Sequence, residues 1–296
     1  MVHIFLYTEE FMVKKFIFLI AIVLIGGFVI RGVSPKDKVL SLFVTPTPTS
    51  IPPTPTITPT PLPTLTPTPT PEPTPAGFCV NVPVVFYHHV QPLDQADKEG
   101  HKNMTVAPEN FESQMKFLND HRYRSIKAEE LVNALKAHQP LGKVVVVTMD
   151  DGYADMFSYA YPIARKYNII LNLMIPTGLM ENPGYLSWNS LKEMVSNGMV
   201  AYNHTWSHFS LPAGNDSKLD AEVMVPKKQL EEHLGKTVDI LTYPYGSVDN
   251  RVIRYLSNKG FLGAFTTRPG QLQCEVYIMT LHRTRIGNAP LSSYGL

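Results

Sequence analysis

Cysteine is nearly absent from this chain of 296 residues, which has only Cys79 and Cys274, far apart. No CxxC spacing exists, so no cysteine-built metal site is indicated. The pair flanks the region most able to fold. Outside the cell the two could join as a disulfide, and otherwise they are two isolated thiols; the sequence leaves both open. An excess of one charge is missing too. With 26 Lys and Arg against 25 Asp and Glu, the formal net charge is +1. No basic stripe appears, which leaves nucleic-acid binding without support. Nor is there an internal repeat. The longest apolar run, Phe16 to Ile30, falls short of the ~20 residues of an ordinary membrane span.

That run still has a direction. Lys14 and Lys15 precede it and Arg31 closes it, the pattern of a secretion signal or a short signal anchor. No small-x-small cleavage site follows closely, which favours a retained anchor, with Arg31 able to snorkel. Met12-Val13-Lys14-Lys15 resembles a signal-sequence start, making Met12 the expected initiator. Residues 1–33 are thus read as signal or anchor, and residues 34–77 as a linker. Its stretch 45–75 is almost entirely Pro and Thr. Proline removes backbone donors and fixes φ, so an extended polyproline II spacer is expected. At ~3.1 Å per residue it reaches on the order of 100 Å. Thr/Pro composition is also typical of glycosylated stalks outside the cell. An extracytoplasmic domain, tethered to a membrane or secreted to the cell surface, is the expectation.

Residues 78–296 remain for one sizeable domain. Its anchor is Lys143-Val144-Val145-Val146-Val147-Thr148-Met149-Asp150-Asp151-Gly152. Four β-branched residues bounded by glycines predict a buried central strand, with two carboxylates where it ends. Other strands are expected at 82–90, 169–175, 199–204, 240–246, 261–266 and near 278–283. Helices are expected at 108–118, 129–138, after an Asp155 N-cap, at 188–197, at 219–234 with a kink at Pro226, and at 249–258. This alternation argues for parallel βα units in a barrel or open sheet.

The chemistry-bearing residues gather at expected strand ends, which in such folds share one rim. They are His88 and His89, Asp150 and Asp151, His204-Thr205-Trp206-Ser207-His208, and Tyr243-Pro244-Tyr245-Gly246. The H-x-x-x-H spacing puts two imidazoles on one face of a helical turn or tight loop. With one Asp this gives a two-His, one-carboxylate set with an open position, as catalytic metal sites require.

In this order, Thr148-Met149-Asp150-Asp151-Gly152, His204 to His208 and Tyr243 to Gly246 resemble the first three motifs of the polysaccharide deacetylases. These are the NodB-homology, or family-four, carbohydrate esterases. Tyr87-His88-His89-Val90 and Gly152-Tyr153-Ala154-Asp155 are similar to the branch that de-N-acetylates poly-N-acetylglucosamine. The resemblance covers about residues 82–287. It implies an α/β fold, a distorted (β/α) barrel with fewer than eight repeats, and a hydrolase removing N-acetyl groups from a β-linked N-acetylglucosamine polymer, peptidoglycan or chitin-like chains included. The domain is implied to act as a monomer.

The resemblance further implies that Asp151, His204 and His208 bind a divalent metal, usually Zn2+, with Co2+, Ni2+ or Fe2+ as alternatives. Asp150 would be the general base and the Tyr245 N–H an oxyanion donor, with Tyr243 and Pro244 beside it binding substrate. His88 is the general acid implied by the branch. His282, in the partial Leu281-His282 match, is the acid implied by the wider family, and His89 is expected to be structural. Trp188 aligns with a wall of the acetyl pocket. Two departures stand out: Met149 replaces the usual Phe, and Thr242 stands where many relatives carry an Arg that orients the base. An O-deacetylase of another polysaccharide such as xylan, and a non-catalytic glycan-binding module, are the alternatives of the same fold.

Overall fold

The computed structural model describes residues 77–296. The expected signal or anchor and the Pro/Thr linker lie outside the described residues. Among those described, no helix is long and apolar enough to cross a membrane.

Twelve strands follow in order: β1 Cys79–Asn81, β2 Val84–Tyr87, β3 His89–Val90, β4 Thr105–Val106, β5 Arg124–Ser125, β6 Val144–Met149, β7 Leu171–Ile175, β8 Val200–Asn203, β9 Ile240–Thr242, β10 Gly263–Phe265, β11 Leu272–Cys274 and β12 Thr284–Arg285. The main sheet runs β10-β9-β8-β7-β6-β2-β12, with β5 also paired to β6. Every pairing in it is parallel. All strand ends of one polarity therefore lie on one side. The segment after β11 touches both edges of the sheet. Leu281 bridges Phe265 of β10, and a few residues on, Thr284 and Arg285 pair with β2. The sheet is curled, and this one short segment spans its seam.

The valine strand shows why the sheet sits where it does. All six residues of β6 are buried, as expected of a parallel strand covered on both faces. Its side chains alternate between two cores. Val145, Val147 and Met149 pack with Phe111, Met115 and Leu118 of the helix Pro108–Asp120 and with Leu191 and Met194 of the helix Trp188–Ser196. Val144 and Val146 turn the other way, to Val84, Met174, Tyr202, Ile240, Phe265 and Leu281. The helix Ala128–Lys136 belongs to this second core. Its Ala128 N–H donates to Asn172 Oδ1 at 2.8 Å. Val132 comes so close to Gly263 that a Cβ there would meet it at 2.5 Å. These partners lie at the amino ends of their strands, so the carboxyl ends are left for the site.

Four local expectations are corrected. The tail strand falls at 284–285, not 278–283, because the chain closing the seam changes partner between Leu281 and Thr284. The helix ending at Leu234 is interrupted: a π-turn over Asp220–Met224 precedes the α-helix Val225–Leu234. Pro226 follows that π-turn at once, so the irregularity in the helix falls just ahead of the proline, as its missing N–H and the clash of its ring with the preceding turn require. A π-turn, Met156–Ala160, also opens the helix after Asp155. Asp155 caps nothing; its carboxylate takes the Val90 N–H at 3.1 Å and His89 Nδ1 at 2.5 Å. Cys79 and Cys274, left open by the sequence, are joined as a disulfide between the paired strands β1 and β11.

Candidate active site

Four parallel strands deliver the expected groups to one rim. β2 ends at His88, β6 at Asp150 and Asp151, β8 at His204, and β9 at Tyr243. The Asp150 N–H continues the ladder by donating to Tyr87 O at 2.9 Å. Then the chain turns out of the sheet, with φ of 76° at Asp151 and 69° at Gly152. Glycine adopts this region freely and aspartate does so at a cost. Thr205, His208 and Tyr245 also have positive φ, at 67°, 57° and 61°. Such backbone strain gathers where the surroundings fix a functional geometry.

One pocket of about 320 Å3 receives His88, Asp150, Asp151, His204, His208, Tyr243 and Tyr245. Asp151, His204 and His208 each bring one ligand atom to within 4.8 Å of the other two. His204 Nδ1 lies 2.8 Å from Thr242 O. A carbonyl only accepts, so Nδ1 carries the proton and Nε2 presents a bare lone pair in the neutral ring. That lone pair faces Asp151 Oδ1 at 3.3 Å, and His208 Nε2 faces the same oxygen at 3.2 Å. Asp151 Oδ1 is buried without a hydrogen-bond donor. With His204 neutral its lone pair meets a carboxylate oxygen, an arrangement that a cation between them relieves. The donor set, two imidazoles and a carboxylate, suits a divalent ion.

Charge around this cluster follows from burial and neighbours. Burial alone would raise the Asp151 pKa, but the His204 contact outweighs it and the net shift is downward. For His204 burial opposes protonation, yet the carboxylates of Asp151 and Asp150 prevail and its pKa rises. His208 and His88 go the other way. Burial is the largest influence on both, and each sits below the usual imidazole value.

Asp150 stands outside the triad. Its carboxylate is gripped at both oxygens by Arg283, whose Nη1 and Nη2 each donate at 2.7 Å. Burial pushes the Asp150 pKa up; the guanidinium overcomes this and holds it below the ordinary carboxylate value. Arg283 is itself fully buried, donating to Thr266 O and Thr148 Oγ1 at 3.0 Å each, over the Phe86 ring. Where Thr242 departs from the arginine of the resemblance, a guanidinium reaches Asp150 from the seam of the sheet instead. It follows His282 directly, but nothing in the local pattern ties it to a carboxylate 133 residues away.

Glu222 was equally invisible. This fully buried carboxylate lies in the π-turn and grips the loop between the two histidines. It accepts from Trp206 N at 3.1 Å, Ser207 N at 2.9 Å and Ser207 Oγ at 2.7 Å, and pairs with Lys218 at 2.7 Å. The H-x-x-x-H unit is therefore a tight loop rather than a helical turn.

Other expected groups lie elsewhere. His282 does not line the pocket; its Nδ1 is 3.1 Å from Pro269 O, and it packs on Gly270. Trp188 stacks on His233, ring centroids 3.8 Å apart. It is no wall of this pocket, which Tyr153, Tyr185, Leu179, Met104 and Thr267 complete. Pro244 is buried between the two lining tyrosines. His89 is buried in its pairing with Asp155.

A curled parallel α/β sheet carrying these groups at one rim defines a hydrolase-type site. Residues 137–264 match the family described as polysaccharide deacetylase, the one its motifs resemble. It is similar to the Bacillus subtilis protein YxkH, at 25% identity over 206 residues, 69% of this chain and 71% of that one. It is also similar to a poly-beta-1,6-N-acetyl-D-glucosamine N-deacetylase of Staphylococcus aureus, at 28% identity over 179 residues, 56% of this chain. The match spans 62% of that relative, under two thirds of its length. Among solved structures, the Streptococcus pyogenes deacetylase PplD, determined with acetate, superposes with a TM-score of 0.66. Its identity is 26%, covering 70% of this chain and 92% of that chain.

Proposed function

We propose that this protein is a metal-dependent hydrolase that removes N-acetyl groups from a β-linked N-acetylglucosamine polymer at the cell surface. The observation that carries the reading is the pairing of two unlike carboxylates. Asp151 faces two imidazole nitrogens and its Oδ1 has no hydrogen-bond donor, while next to it Asp150 is held ionised by Arg283.

Asp151, His204 and His208 hold the metal, with Zn2+ the first choice for this donor set. A bound divalent ion supplies Lewis acidity toward the acetyl carbonyl and lowers the pKa of a water. Asp150, ionised and outside the triad, takes the proton of the attacking water. Tyr245 stands in the tight turn Pro244–Gly246 at the pocket, and its N–H is the donor for the oxygen that becomes negative. His88 faces the same pocket, and its lowered pKa makes its protonated form a stronger acid toward the departing amine. His282, outside the pocket, takes no part. Export is supported by the Lys-flanked apolar run, the Pro/Thr linker and the Cys79–Cys274 disulfide, since disulfides persist in oxidising compartments.

The test is acetate release by the full chain from β-linked N-acetylglucosamine oligomers with Zn2+ supplied, run against acetylated xylan. Release from the hexosamine oligomers is expected. Asp150→Asn should keep bound metal and lose release by at least about a hundredfold. His88→Ala should lose amide hydrolysis but retain hydrolysis of 4-nitrophenyl acetate, whose leaving group needs no proton. Release from xylan alone would assign O-deacetylation. Metal loss in Asp150→Asn would exchange the two aspartates' roles.

A further inference from the structure

A second, larger cavity of about 560 Å3 adjoins the catalytic pocket. Tyr153, Tyr185 and Met104 line both, so the two share a wall. That wall is built. Tyr153 and Tyr185 pair through their backbones, and their rings lie 5.3 Å apart. The stack continues from Tyr153 to His89 at 3.7 Å and on to His101 at 3.9 Å. His89 is fixed in turn by Asp155. Aromatic rings of this kind pack against the C–H faces of sugar rings. The volume falls within the ~300–1,000 Å3 of small-ligand clefts. A polymer with one acetyl group in the catalytic pocket can carry its next unit past this wall.

Charge narrows what enters. Among the described residues no Lys or Arg lines the cavity, whereas the carboxylates of Asp155 and Glu99 do. Asp155 is committed to His89 and Val90. Glu99 accepts from Gln91 at 2.8 Å, Gln95 at 3.0 Å and His101 at 2.9 Å. A carboxylate has about four lone-pair directions, so one remains. The amides of Gln91 and Gln95 also keep the Glu99 carboxyl below its usual pKa, hence charged at neutral pH.

We propose that this cavity is a second sugar subsite, taking a neighbouring hexosamine unit whose amine is free and cationic, with Glu99 as its counter-ion, and disfavouring carboxylate-bearing units. This rests on the reading above that the substrate is a β-linked hexosamine polymer. A unit that has just lost its acetyl group is the one that suits the cavity once the chain moves along. Partly deacetylated chains are then better ligands than untouched ones, and polymers alternating with an acidic sugar are poorer.

Three probes that cannot be deacetylated separate binding from turnover: β-linked tetramers of glucosamine, of glucose and of glucuronic acid. Their affinities for the full-length, Zn2+-loaded protein are measured by titration calorimetry at low salt. The glucosamine tetramer should bind about fivefold tighter than the glucose tetramer, the scale of one partly screened ion pair, and the glucuronic acid tetramer should bind weakest. Added salt should shrink the margin. Glu99→Gln should remove most of it, and Glu99→Lys should reverse the order of the charged probes; Glu99 is exposed, so both variants should fold. Equal affinities for the amine and neutral tetramers, or a margin that survives Glu99→Gln, would overturn the subsite. Acetate release is scored separately. Binding as expected with no release would sink deacetylation alone, and release without amine preference would sink the subsite alone.

Discussion

At the scale of single residues, the site rests on how Asp150 and Asp151 are kept different. Both are buried, and burial alone would raise the pKa of both. Arg283 gives Asp150 a fixed cation, which leaves Asp151 to face the histidines. Because the folded Asp150 pKa lies below the ordinary 3.8, its ionised pairing favours the fold above that value. That contribution is lost only as pH falls through the lower folded pKa. Arg283→Met reverses the sign. With its cation gone, burial raises the Asp150 pKa, the charged form is penalised at neutral pH, and the penalty shrinks as pH falls. Breaking a buried pair in this way costs about 3–5 kcal/mol. Urea unfolding from pH 4 to 8 with a chelator present should show the variant furthest below wild type at pH 8 and closest to it near pH 4. The acid limb of its acetate release should also move to higher pH. A stability difference that does not vary with pH would mean Arg283 acts by packing alone. The sequence announced Asp150, Asp151, His204 and His208 because each stands in a short local pattern. Arg283 and Glu222 have no such pattern, since their partners come together only through the fold.

At the scale of elements, strands were legible and their terminations less so. Runs such as Val144–Val147 and Leu171–Ile175 announce burial on both faces. The two π-turns carry no comparable signal, yet each presents an acid to the site's surroundings. Asp155 stands just before one and fixes His89; Glu222 lies inside the other and fixes the histidine loop. Insertions of this type recur at functional positions in helices. The loop from His204 to His208 has three backbone and hydroxyl donors on one carboxylate, and both Thr205 and His208 sit at positive φ. Glu222→Ala should therefore loosen His204 and His208, the proposed ligands, without touching them. Support of this sort around metal ligands is worth about 10- to 100-fold in metal affinity. Competition titration with a Zn2+ chelator should show that loss. Glu222→Gln, which retains an acceptor but drops the charge, should lie between. Unchanged Zn2+ affinity with lowered thermal stability would reduce Glu222 to a purely structural role.

At the scale of the whole molecule, the parallel α/β class followed from the alternation of strands and helices, whereas the closing of the sheet did not. Closure depends on one stretch whose ends serve opposite edges, Leu281 on β10 and Thr284 on β2. No periodicity marks such a change of partner. The same stretch carries Arg283, so the seam and Asp150 are mechanically linked. The disulfide stands beside it: Cys79 lies just ahead of β2, and Cys274 precedes the closing segment. Its loop spans 195 residues, for which chain entropy alone gives roughly 5 kcal/mol, with about 2–4 kcal/mol typical once native strain and residual denatured-state structure are included. The double variant Cys79→Ala, Cys274→Ala should lose about that much stability in denaturant unfolding while keeping kcat near wild type in the folded state. Wild-type protein treated with reductant should move to the same unfolding midpoint. Protein isolated from an exported fraction should show no free thiol before reduction. If reductant shifts nothing and two thiols titrate in the native chain, the crosslink is absent from the working protein. Residues 281–286 would then hold the seam through backbone pairing and the Arg283–Asp150 contact alone.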